Sequence, residues 1–192
     1  QQMQSEQLRM TRLEARINQM DGQTLSNKYD VVVREIEPQL VATYREVATD
    51  DDRIQYMFEE LEAYIAQFDA RADLPPTTIY YDPEYREKDI DAEVVVPLKS
   101  VIPGTELFHI RELARIPRAA CVIHTGSYVT IYQAYNTLLG WIESNGYRMQ
   151  GPIREVYLSY SADGLGFELP PTYLVKESSS YVTELQLEIE KG

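Results

Sequence analysis

The sequence has one cysteine and two histidines in 192 residues. A single cysteine excludes an intrachain disulfide and fits a reducing compartment, so the cytoplasm is the expected location. Cys121, His109 and His124 share no ligand-like spacing, so no metal site is expected. No apolar run approaches the roughly 18 residues of a bilayer span, and no signal peptide is evident. Basic residues are scarce, 18 against 31 acidic ones, for a net charge of −13. Such a surface repels phosphate backbones, which argues against DNA binding by these residues alone, and it attracts cations. There is no Gly-rich phosphate loop, no Gly-x-Ser-x-Gly elbow and no dinucleotide fingerprint, and no cofactor is expected. Asp50-Asp51-Asp52 lacks the Gly and distal Glu of a calcium loop. The first residue is Gln1, which leads us to expect a longer gene product.

Tryptophan occurs once and phenylalanine four times, yet tyrosine occurs 15 times. A tyrosine joins an apolar ring to a polar tip, which suits pockets and wet clefts. Residues 1–22 carry Met3, Met10 and Ile17 at heptad spacing, with Leu13 and Met20 as d positions. They read as the C-terminal part of a dimerising coiled-coil helix, with a surface helix of the same domain as the alternative. Residues 23–29 read as a linker.

The remainder, 30–192, repeats itself. Val33-Arg34-Glu35-Ile36 returns as Ile110-Arg111-Glu112-Leu113, and Ile79-Tyr80 as Val156-Tyr157, both 77 residues on. Val41-Ala42-Thr43-Tyr44 is echoed by Ala120-Cys121-Val122-Ile123, and Val94 to Leu98 by Leu185 to Ile189. Each copy holds one amphipathic helix. The first bears Ile54, Met57, Phe58, Leu61, Ile65 and Phe68 behind an acidic N-cap cluster; the second bears Ile131, Tyr135, Leu138, Leu139 and Ile142 and ends at Asn145-Gly146. The reading is an α+β fold of duplicated β-α-β-β units, repeat one over 30–100 and repeat two over 107–191. A pseudo-twofold relates them, with a ligand groove between. Strand parity puts Glu155, Tyr157 and Tyr80 in that groove. Val156 and Leu158 are expected to face the helix, leaving the groove on the opposite side of the sheet.

Thr125-Gly126-Ser127-Tyr128, Trp141 to Tyr147 and Gly151 to Leu158 together resemble the GyrI-like effector-binding domain. The heptads before it resemble the dimerisation helix of MerR-type transcription regulators. The resemblance implies a multidrug-sensing domain in which a glutamate neutralises cationic, aromatic drugs among tyrosines. It makes Glu155 the ligand carboxylate and Tyr157 its neighbour. It implies a homodimer through the coiled coil, and DNA binding only through an N-terminal domain that these residues do not contain. Tyr128 and Tyr132 sit four apart at the start of the second helix and line either the groove mouth or the core; Tyr56 has the same standing on the first helix. Glu168 and Tyr173 lie in the long loop of repeat two, a lid or an ordinary surface loop. A non-enzymatic binding module is the expectation. The alternatives are a GyrI-like hydrolase of cyclopropane-containing toxic compounds and a module that docks on another protein.

Overall fold

The computed structural model describes residues 29–83 and 86–192. The coiled coil expected over 1–22, and the linker up to residue 28, lie outside the described residues. Repeat one runs β1 (Val32–Ile36), β2 (Gln39–Ala48), α1 (Asp51–Ala66), β3 (Thr77–Tyr80) and β4 (Ile90–Pro97). Repeat two runs β5 (His109–Leu113), β6 (Ile116–Thr125), a 3-10 turn (Tyr128–Thr130), α2 (Tyr132–Ser144), β7 (Tyr147–Met149), β8 (Ile153–Ser159) and β9 (Val182–Lys191). Each strand-helix-strand-strand unit is thus preceded by one further strand. β7, only three residues long, carries too short a pattern to be read from sequence.

All nine strands join one antiparallel sheet of order β1-β6-β9-β8-β3-β4-β2-β5, with β7 against β9. The order is palindromic under exchange of the repeats. Its centre is the β3–β8 pair, where Thr78 stands opposite Glu155. These two residues are themselves equivalent by the 77-residue repeat, so they mark the pseudo-twofold. The outer strands cross over: β1 pairs with β6 of repeat two, and β5 with β2 of repeat one.

Both helices lie on the same face of the sheet. Ile54, Met57, Leu61 and Ile65 of α1 pack on Ala42, Tyr44, Val94 and Val96. Ile131, Ala134, Leu138 and Ile142 pack on Ala120, Val122, Leu185 and Leu187. Asp50 caps α1 by accepting from the Arg53 amide at 3.1 Å, and Ser127, its repeat equivalent, caps the turn before α2. The faces show Ala42 answering Ala120, one residue off the echo expected from sequence. Between β6 and the second cap the connection is therefore a residue shorter than in repeat one. Gly126 makes the tight turn at φ +118.

The opposite face is also buried, and with charge. Glu93 accepts from Tyr81 at 2.5 Å and from Arg111 at 2.7 Å. Burial pushes its carboxyl up, but the hydrogen bonds from Arg111 and Tyr81 outweigh this and hold it below the usual 4.5. Glu184 pairs with Arg34, and Gln186 donates to it. Val156 belongs to this face, opposite Thr77 and Glu184. Cys121 packs against Ile116 and Ala119, and burial, followed by Glu184, lifts its thiol to about 12. It is packing, as expected of a cysteine in an apolar run.

Two measurements check this account. Gly126→Ala meets no atom within 4 Å, so its cost is backbone conformation alone, about 1–3 kcal/mol, visible as a lower denaturation midpoint. Glu93, with a depressed folded pKa, contributes stability that is present above 4.5 and lost as pH falls through its folded value. Glu93→Gln should flatten that part of the acid limb in urea titrations below pH 4.5.

Candidate functional site

Because the helices pack on the face that carries Ile153, the same-parity Glu155 and Tyr157 lie on the helix side of β8. This corrects the expectation that Val156 and Leu158 would meet the helix while the groove opened opposite. Alternation identifies which residues share a face, and here both faces are buried, so apolarity did not reveal which one held the helices.

A cavity of about 650 Å³ opens there. Its floor is Tyr80, Glu155 and Tyr157; one wall is the α1 face carrying Asp51, Gln55, Phe58, Glu59 and Glu62; the other is the 3-10 turn at Tyr128 with the loop that follows β8. Glu155 is 1% exposed. The Tyr135 hydroxyl, from α2, donates to one of its oxygens. The Tyr157 hydroxyl lies 3.0 Å from the other and 3.0 Å from Thr78 Oγ1. Its single proton goes to the carboxylate, the stronger acceptor, so Thr78 donates to the Tyr157 oxygen. Burial first, and then the neighbouring Tyr80 and Glu155, push the Tyr157 hydroxyl well above 10. Tyr128 is raised likewise, by burial and then by Glu155. Both hydroxyls therefore stay protonated near neutral pH and remain donors.

The repeat is broken where it matters. Phe58 occupies in α1 the place of Tyr135 in α2, and Thr78 that of Glu155. The uncharged Phe58–Thr78 pair thus faces the Tyr135–Glu155 pair across the pseudo-twofold. Phe58 presents its edge to Tyr157 at 6.1 Å, as does Tyr128. Seven carboxylates line the cavity, and Lys176 is the one cation of the lining among the described residues. Glu62 is buried at the far end. Burial raises its carboxyl, and Arg71, bonded to both its oxygens at 3.0 and 3.1 Å, pulls it back only in part. Tyr160 beside them is lifted to about 12 by burial.

Of the residues singled out from sequence, Glu155, Tyr157, Tyr80 and Tyr128 line the cavity. Tyr132, Tyr56, Glu168 and Tyr173 do not. Tyr132 lies beside Gln133 on α2, and Tyr56 is 54% exposed on the outer face of α1. Glu168 points outward between Phe167 and Leu169, which with Leu165 form the wall. Tyr173 donates to the Asp73 carbonyl, pinning the loop to repeat one alongside Thr172. The residues that sequence reasoning missed are Tyr135, Phe58, Tyr160, Tyr181 and the loop apolars. Phe58 and Tyr135 belong to the helical stripes that the sequence assigns to the core; their exact repeat spacing is the usable signal. Among the described residues no group of His, Cys, Asp or Glu is arranged to hold a metal ion, and no helix is long and apolar enough to cross a membrane.

A duplicated antiparallel sheet with both helices on the cavity side defines a small-molecule binding architecture. The chain belongs to the GyrI-like family: the model for the GyrI-like small molecule binding domain matches residues 29–174. It is similar to EcmrR in a cryo-EM structure of the EcmrR–DNA complex in EcmrR-RPo (TM-score 0.74, 21% identity, 100% of this chain and 68% of that one). The crystal structure of the EcmrR C-terminal domain gives 0.71 and 24%, over 86% of this chain and all of that one. A hydrolase from Listeria innocua gives 0.56 and 11%, over 91% and 98%. SAV2435 bound to tetraphenylphosphonium gives 0.51 and 11%, over 84% and 94%. No curated protein sequence matches.

The Tyr135 bond to a buried carboxylate is charge-assisted and should contribute about 1.5–3 kcal/mol. Tyr135→Phe should lower the unfolding free energy by that amount, measured by denaturant titration, while leaving the core contacts of the ring in place.

Proposed function

We propose that this domain senses flat, cationic, aromatic molecules as the effector-binding part of a MerR-type transcription regulator. The observation that carries the reading is a buried carboxylate on the floor of a ring-lined, acid-rimmed cavity. Glu155 neutralises the cation, and Tyr80, Tyr128 and Tyr157 give it π faces. Tyr132, Tyr56, Glu168 and Tyr173 drop out of the ligand set, and Phe58 and Tyr160 enter it. Each cation–π contact is worth about 0.5–2 kcal/mol, so three or four rings supply about 1.5–8 kcal/mol towards the roughly 8 kcal/mol of micromolar binding, and charge neutralisation at Glu155 adds to them. Tetraphenylphosphonium, the molecule bound by SAV2435, is tetrahedral rather than flat but shares the charge and the aromatic rings, and so serves as the probe. In the parent protein, a cytoplasmic homodimer joined by the coiled coil, occupancy favours one arrangement of the domain and so reorients a DNA-binding domain outside these residues.

Glu155→Gln keeps the shape of the site and removes its charge. Calorimetric titration should show tetraphenylphosphonium weakened by roughly ten-fold or more, about 1.4 kcal/mol, and a neutral aromatic of similar size unchanged. Equal loss for both ligands, or none for either, refutes the assignment.

A second reading has one observation in its favour. Tyr135, Glu155 and Tyr157 form a connected proton-donor and acceptor set, which is what hydrolysis of a reactive, cyclopropane-containing compound requires of its acid–base groups. Incubation with such an electrophile and mass analysis for the water adduct distinguishes the two: turnover supports the hydrolase, and stoichiometric binding without product supports the sensor.

A further inference from the structure

His124 on β6 is wholly buried. Its Nε2 lies 3.0 Å from the Ser127 carbonyl oxygen, which can only accept, so Nε2 carries the proton. Nδ1 then accepts from the Tyr29 hydroxyl at 2.8 Å, and the two rings lie 5.9 Å apart. Thr130 Oγ1 donates to the same Ser127 carbonyl at 3.1 Å. Ser127 caps the 3-10 turn by accepting from the Val129 amide at 3.2 Å. The next residue, Tyr128, puts its ring in the cavity, 6.1 Å from Tyr157 and 5.1 Å from Tyr181. An unbroken set of directional contacts therefore runs from the cavity wall to Tyr29, where the described chain enters the domain.

Repeat symmetry sets this apart from ordinary helix anchoring. With Ala42 answering Ala120, the counterpart of His124 is Glu46. Glu46 is satisfied within its own repeat: Arg53 donates to both its oxygens at 2.9 and 2.7 Å, and Tyr44 donates at 2.6 Å. Repeat one closes its helix start with a local ion pair. Repeat two offers one nitrogen of a neutral imidazole to a residue outside the repeat.

We propose that Tyr29, His124 and Ser127 form a positioning relay that fixes the turn carrying Tyr128 and couples cavity occupancy to the segment through which the chain enters the domain. The inference rests on the cation-binding reading of the cavity. Tyr29 and His124 touch no ligand; they act through Tyr128. The full chain is titrated with tetraphenylphosphonium as wild type, Tyr29→Phe, Tyr128→Ala and the double variant. Affinity is read by calorimetry, and the imidazole nitrogens are followed by 15N NMR, in which exposed His109 is the internal control. Saturation of the wild type should move the His124 nitrogens and not those of His109. Tyr29→Phe should weaken binding roughly five-fold, and that effect should vanish in the Tyr128→Ala background. A wild type that binds while its His124 nitrogens stay still and Tyr29→Phe binds equally well overturns the relay alone. A wild type that does not bind the probe overturns the cavity reading and the relay with it.

Discussion

A carboxylate removed from water must be held by donors, and much of this domain serves that requirement for Glu155. It stands on the pseudo-twofold of the sheet, with Thr78 opposite. One oxygen is held by a hydroxyl from α2, the other by a hydroxyl two residues along its own strand. For both to reach it, α2 must lie over β6 and β9 at a fixed height, and β8 must pair with β9 in one register. The apolar stripe of α2 and the alternation of β9 set that geometry. A buried charge is costly, so the surrounding hydrogen bonds need to be good ones.

Duplication explains the shape of the cavity, and its departures explain the chemistry. Two equal repeats would have made a symmetric cleft. Here Phe58 and Thr78 stand where Tyr135 and Glu155 stand in the other half, so the sheet carries its cavity carboxylate on one side only. The loop after β8, which has no counterpart of similar length in repeat one, supplies Leu165, Phe167 and Leu169 as a wall. The α1 face adds acids. The result is Glu155 buried among rings, Glu62 buried against Arg71, and further carboxylates along the α1 wall.

The repeat, both helices and eight of the nine strands were legible in the sequence because their signals are local and periodic: alternation in β9, the helical stripes, the acidic cap cluster at Asp50 and the Asn145-Gly146 stop. Glu155, Tyr157 and Tyr80 followed from strand parity, whereas Tyr128, open in the sequence between groove mouth and core, lines the cavity. The side of the sheet did not, because burial of Glu93, Glu184 and Gln186 depends on ion pairs between distant strands, which no local pattern encodes. Tyr56 failed as a cavity residue because it stands about 100° round α1 from the lining residue Gln55, and Tyr132 because Tyr128 belongs to the 3-10 turn before α2, so their four-residue spacing is not one helical face. Glu168 and Tyr173 failed because an irregular loop has no period from which to read direction.

The exchange of outer strands has a consequence for how such a fold holds together. β1 leaves its own half to pair with β6, and β5 returns the exchange on β2. Either half alone would leave β1 or β5 without the strand it pairs with, so the two halves close only together, and cutting the chain between them would leave fragments that need each other.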